Sequence, residues 1–341
     1  MKNASPADRL PVIGALSKKT GIAIFSALMI ALAAVVLLHH NPLADPATEH
    51  LKKVCNCAII IIVWALFIAW YDKLMVLPVE LWNNRLLIKR LSVNDFKKRY
   101  AGSYFGIVWA LLQPVVTVLM YFFIFDIIFG ARSQAVREGI EVPYVLFLTA
   151  GLVPWFYFQE ALSNGTTSLL EYSYLVKKVV FKISILPLIK IIAATFIHVF
   201  FIILLLILAG VYGYYPTIYT LQIVYYLICE FVLVLSISYL TCSVAVFFRD
   251  IMQIIAIILQ IGQWATPILW NIDIVPEEFQ WIVKLNPMVY IVNGYRMAIC
   301  EGGWFFEHFY STTYFWIVTI GIFCLGSLLF KRSKTHFADV L

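Results

Sequence analysis

The chain has 341 residues, 62% of them apolar and only 13% charged, with a mean hydropathy of +0.90 and a formal net charge of +6. A soluble chain carries roughly 45–50% apolar and about 25% charged residues, so the composition excludes a soluble globular protein and requires an integral membrane one. The apolar runs are continuous rather than alternating, which excludes an outer-membrane barrel and reads as helical spans; the cations sort to one side of those spans, which argues against a nucleic-acid partner.

Residues 1–75 read as a two-span hairpin. The first run, GIAIFSALMIALAAVVLL (21–38), follows Lys18 and Lys19 as a signal peptide would, but it is longer than a usual signal core and reads as a retained span. The loop HHNPLADPATEHLKK leads to a second span near 54–71. The six cysteines include no C-x-x-C, and Cys55-x-Cys57 has no matching pair, so no metal site is expected.

Residues 76–105 read as an interfacial amphipathic helix. Within 76–100, Val79, Trp82, Leu86, Val93, Phe96 and Tyr100 fall on one side at helical spacing, with cations at the edges and a possible break near Ser92. Lys97, Lys98 and Arg99 close this stretch. Positive-inside anchoring accounts for them, and so does capture of a phosphate group.

Residues 106–341 hold six further spans, near 106–130, 143–166, 184–212, 218–247, 251–271 and 312–330. The even total places both termini on one side, where 18 of the 25 Lys and Arg fall against 6 on the other, so both termini are expected in the cytoplasm. The first core span carries Gly102, Gly106, Trp109, Gln113 and Thr117 along one face. Between the second and third core spans, EYSYLVKKVVFKISILP (171–187) has few helix breakers and reads as a short helix at the membrane boundary.

The third and fourth spans form a hairpin that turns near Tyr214. His198 and Glu230 each lie 16 residues from that turn, so both sit about 24 Å from its tip and are expected to face each other through a direct or water-mediated hydrogen bond. A carboxylate at that depth is costly unless paired or protonated. A static polar clasp and a proton-linked switch both fit such a pair. In the fifth span, Gln253, Gln260, Trp264, Pro267 and Asn271 fall within about 60° on a helical wheel, with Gln263 beside them. A stripe of amides and indole should face protein or a water-filled path rather than lipid. Packing and conduit roles both remain open, and the chemistry suits a carbohydrate better than a cation.

No P-loop, nucleophile elbow, H-E-x-x-H motif or D-x-D pair is present. A membrane-embedded glycosyl- or acyltransferase would need a polar catalytic pair, and no convincing one is visible. No catalytic residue is therefore assigned.

NDFKKRYAGSYFGIVWALLQP (94–114), FFRDI (247–251) and LNPMVYIVNGYR (285–296) resemble the ABC-2 type membrane subunits, in the branch that exports O-antigen, capsule, teichoic acid and related glycans. The resemblance covers about residues 76–341. It implies an all-α integral membrane fold: a six-span ABC-2 exporter core, here preceded by the extra two-span hairpin and the interfacial helix. It implies a homodimer served by two copies of a separate ATPase subunit, which would hold ATP and Mg while this chain holds no cofactor. The expected cargo is a lipid-linked glycan crossing the bacterial cytoplasmic membrane. A drug or small lipid is the alternative cargo on the same fold.

On this resemblance Trp109, Gln113, Thr117, Gln253, Gln260, Gln263, Trp264 and Asn271 become the candidate substrate path. Lys97, Lys98 and Arg99 become a candidate entrance for the carrier phosphate. Residues 171–182 become the coupling helix, with Glu171, Tyr172, Tyr174, Lys177 and Lys178 as candidate ATPase contacts, although its lysines would also suit anionic lipid. Residues 273–303 become a re-entrant external segment broken at Pro287 and Gly294, with Arg296 at the outer interface.

Overall fold

A computed structural model describes residues 18–38, 46–99, 106, 108–130, 133–137, 140–177 and 182–341. The chain divides into two compact units, Met1–Asn83 and Asn84–Leu341.

In the first unit, α1 (Lys18–Leu38) packs on α2 (Pro46–Leu74). Phe25 and Phe67 stack with ring centroids 3.7 Å apart, and the Trp64 indole donates to Ser26 Oγ at 2.9 Å. The seam is narrow: Leu28 and Ile30 stay 59% and 69% exposed, as suits a helix whose solvent is lipid. Trp70 leaves helical geometry (φ −113°, ψ 16°) and bends α2, and α3 (Val76–Asn83) follows.

The second unit begins with α4 (Arg85–Arg99). The stretch expected to be one helix thus breaks at Asn84, not near Ser92. Its inward face also differs from the expected stripe. Ile88, Ser92 and Asp95 are buried, whereas Trp82 and Leu86 are 69% and 70% exposed. An interfacial helix can show apolar side chains to lipid while its polar ones turn to protein, so apolar periodicity alone marks the wrong face.

After Gly106, in a turn at φ +52°, come α5 (Val108–Tyr121) and a π-helical stretch, Phe122–Ile128. An antiparallel two-strand hairpin, β1 (Ser133–Arg137) and β2 (Ile140–Pro143), was not expected from the sequence. The order then runs α6 (Tyr144–Glu171), α7 (Ser173–Val176), α8 (Leu186–Val211), α9 (Gln222–Ala245), α10 (Ile251–Ala265), α11 (Glu277–Lys284), α12 (Pro287–Arg296), α13 (Phe309–Ser333) and α14 (Phe337–Val340).

The core forms around α6, against which α5, α8, α9, α10 and α12 all pack. Its hydroxyls are satisfied inside the fold: Thr149 and Thr166 donate to carbonyls one turn back, and Thr166 meets Thr241 of α9 at 2.8 Å. α13 closes on the other side of α9. There a Cβ at Gly326 would lie 2.9 Å from the Ser236 carbonyl oxygen, so only glycine permits this approach.

Among the described residues, five helices are long and apolar enough to cross a bilayer, and a bent pair, Asn56–Asp72 with Val76–Asn83, brings the number to six. The two other expected core spans do not reach that length as single helices. α5 gives way to the π stretch, and α10 stops at Ala265 after 15 residues, about 22 Å. The molecule is a mostly helical, multi-pass membrane protein.

Candidate functional site

The expected substrate path is only partly one surface. Gln253, Gln260 and Trp264 lie on an exposed face of α10, and Gln263 is half-buried beside them. Of this helix only Ile255 and Leu259 are buried. Thr266 is extended, so Pro267 and Asn271 leave the stripe; the wheel had assumed a helix running to 271. Asn271 instead caps the 3-10 turn Ile272–Ile274, accepting from the Asp273 backbone N–H at 3.3 Å. On α5, Trp109 is 53% exposed and Thr117 half-buried, while the side chain of Gln113 lies outside the described residues. Both helices rest on α6.

Asn271 also lines a pocket of about 430 Å³ between α11, α12 and the start of α13. Trp281, Tyr290, Tyr314, Asn286 and Asn293 contribute aromatic faces and amides to its wall. Pro287 stands in the first turn of α12, behind an Asn286 cap that accepts from Met288 N–H at 3.0 Å. It starts that helix rather than breaking it. Gly294 lies within the same helix and is retained for space: a Cβ there would come within 2.1 Å of the Tyr226 ring.

Arg296 reaches carbonyls rather than water. It is 2% exposed, and its three nitrogens donate to the carbonyls of Phe147, Pro267 and Ile268 at 3.2, 2.7 and 2.8 Å. The guanidinium also sits over the Phe147 ring, 3.5 Å from its centroid. Two of these carbonyls, of Pro267 and Ile268, belong to the non-helical stretch just after α10, where no helical donor is available.

The triplet Lys97, Lys98 and Arg99 divides. The two lysines are exposed, whereas Arg99 turns to the Glu160 carboxylate on α6 and lies 4.0 Å from Asp95. That contact belongs to a charged cluster the sequence reading missed. Asp95, 8% exposed, accepts from the Tyr172 hydroxyl and from Lys190 Nζ at 2.9 Å. Lys190, 7% exposed, also pairs with Glu171 at 2.7 Å and sits 4.9 Å from the Tyr172 ring centroid. Thr167 donates to the other Glu171 oxygen at 2.6 Å. Burial and the Asp95 carboxylate push the Tyr172 phenol well above its usual range, so it stays a donor.

Of the residues read as coupling contacts, Glu171 and Tyr172 therefore face this cluster, while Tyr174 and Lys177 are exposed. Among the described residues that follow α6 there, Ser173–Val176 form one helical turn, and Lys178 lies outside the described residues.

His198 and Glu230 do face each other, with Nε2 and Oε2 3.8 Å apart, which is too long for a direct hydrogen bond. His198 Nε2 instead meets the hydroxyl of Tyr295 on α12 at 2.8 Å, and its ring stacks on Tyr157 of α6 with centroids 4.5 Å apart. Tyr157 in turn meets Thr195 at 2.9 Å. Glu230 is fully buried and makes no hydrogen bond to the protein. Depth matching placed the pair correctly, but it could not see the tyrosine arriving from 97 residues away. Among the described residues no group of His, Cys, Asp and Glu could hold a metal ion.

Residues 87–300 match the family model of the ABC-2 type transporter. The O-antigen export system permease protein RfbA of Klebsiella pneumoniae is 28% identical over 260 residues, covering 75% of this chain and 95% of that protein. A protein of the same name from Myxococcus xanthus is 27% identical over 225 residues, covering 65% and 83%. The polysialic acid transport protein KpsM of Escherichia coli is 22% identical over 256 residues, covering 73% and 94%. With its matched region spanning α4 to α12, this chain belongs to the ABC-2 type transporter family.

Proposed function

We propose that this chain is the permease subunit of an ATP-driven exporter that moves a lipid-linked polysaccharide across the bacterial cytoplasmic membrane. One observation carries the reading. The relatives named for O-antigen export and polysialic acid transport align over most of their length, 94–95% for four of them, and the alignment takes in most of this chain. The exposed amide and indole face of α10 fits the reading, since amides bond sugar hydroxyls and an indole stacks on sugar C–H faces. In a single chain that face has no cover, and a second copy of the chain would supply one.

The active assembly is then a homodimer with two copies of an ATPase subunit, and both termini lie in the cytoplasm. The exposed side of residues 173–177 meets the ATPase, and Lys97 and Lys98 meet the carrier phosphate. The test is co-purification followed by reconstitution. The chain should recover an ATPase subunit in equal amounts, and the complex in vesicles should move a lipid-linked polysaccharide only with ATP. Recovery without any ATPase, or ATP-driven movement of a small amphiphile but no glycan, would overturn the reading.

A further inference from the structure

The charged cluster around Asp95 joins four parts of the fold that sequence order keeps apart. Asp95 and Arg99 come from α4, Glu160 and Glu171 from α6, Tyr172 from the segment after it, and Lys190 from the start of α8. The segment has two sides. Its outer side shows Tyr174, 54% exposed, and Lys177; its inner side is gripped through Glu171 and Tyr172. Apolar contacts can slide past one another at little cost. Ion pairs shielded from water cannot, because any slip leaves a charge unpaired. A push on the outer side is therefore carried to α4 through directional bonds.

We infer that Asp95 is a positioning residue that makes α4 follow residues 171–177, so that the nucleotide state of the ATPase sets the placement of Lys97, Lys98 and the entry to α5. This rests on the exporter reading, in which residues 173–177 meet the ATPase. Asp95 holds both Tyr172 and Lys190 on one oxygen, and Lys190 holds Glu171. Removing the Asp95 charge frees α4 while Lys190 and Glu171 remain paired. Arg99 retains Glu160, so α4 stays docked but no longer follows the segment.

The experiment uses the complex of this chain with its ATPase, in vesicles loaded with the lipid-linked polysaccharide of the source cell. ATP hydrolysis and polysaccharide movement are measured on the same preparation. In Asp95→Asn the complex should assemble normally and hydrolyse ATP within about twofold of wild type. Movement per ATP should fall about tenfold, within the range of substitutions along coupling networks. Tyr172→Phe leaves no charge unpaired and should lower the same ratio about threefold. Lys190→Arg should keep the ratio near wild type, since it preserves the charge and the donors.

A purely structural role would lower assembly, hydrolysis and movement together and leave the ratio unchanged. That result, in Asp95→Asn or, should it assemble poorly, in Tyr172→Phe, would overturn the inference. Wild-type complex that recruits no ATPase would instead overturn the exporter reading itself.

Discussion

Two polar clusters lie inside the second unit, and they are built on opposite principles. The Asp95 cluster is made of full charges, and each charged member has at least one opposite charge within 4.0 Å. The His198 cluster is made of an imidazole, phenols and a hydroxyl joined by neutral hydrogen bonds, beside a carboxyl that bonds to nothing in the protein. The difference follows position. Glu171 and Glu160 are still 47% and 32% exposed, so water shares the cost of charge at that end. His198 and Glu230 are 1% and 0% exposed, where only neutral or shared-proton contacts come cheaply. The first cluster should fail when a charge is removed. The second should fail when shape or a hydrogen bond is removed.

Lys190→Met tests the first half of that contrast with the largest expected effect. It leaves Asp95 with only the more distant guanidinium of Arg99, 4.0 Å away, as a cation, and Glu171 with no cation among the described residues. Breaking one side of a buried pair costs about 3–5 kcal/mol. The purified protein should lose its monodisperse elution at a clearly lower temperature than wild type. Lys190→Arg should recover most of the loss. Equal behaviour of Met and wild type would mean that the pairs contribute nothing to the fold.

Gly294→Ala tests the second half through shape. The added Cβ meets the Tyr226 ring at 2.1–2.4 Å, and the ring is buried between Tyr225, Tyr290 and Tyr295. Overpacking of this kind costs about 1–3 kcal/mol. It should also push α12 away from α9 and so weaken the His198–Tyr295 contact. Tyr295→Phe comes next. It keeps the ring but strips His198 Nε2 of its partner, at a cost of about 1–2 kcal/mol. Thermal unfolding of the two single variants and the double variant checks both. Coupled sites should give a non-additive sum.

Much of the fold was legible because apolar run length is a strong signal. The positions of α6, α8, α9 and α13 follow from continuous hydrophobic stretches alone. The two clusters differed in this. The Asp95 cluster was not legible, because 95 residues separate Asp95 from Lys190 and no local pattern links the two. Depth matching worked for His198 and Glu230 because a hairpin fixes relative depth across its turn. It could not reach Tyr295, since α12 lies outside that hairpin, beyond the short link at Leu285 and Asn286, and its placement was not revealed by Pro287 or Gly294. The end of α10 was hidden for the same reason. Arg296 takes up two carbonyls in the stretch just beyond it, and a sequence pattern does not show which carbonyls lack donors.

Glu230→Gln has the smallest expected effect and draws the sharpest line between the two clusters. The carboxyl already makes no hydrogen bond to the protein, so the amide loses none, and the two side chains have almost the same volume. The amide does gain two donors, and His198 Nε2, 3.8 Å from one carboxyl oxygen, is already engaged with Tyr295. A static clasp therefore predicts a change within about 1 kcal/mol and transport with an unaltered dependence on pH. A proton-linked switch predicts wild-type stability with a pH profile flattened between about 5 and 8, where His198 and the carboxyl would exchange a proton. The hydrogen bond of His198 to Tyr295 favours the clasp, since that phenol holds the ring in place without help from the carboxyl. Transport measured across that pH range in wild type and Glu230→Gln separates the two, and a flattened profile would break the contrast between a charged cluster and a neutral one.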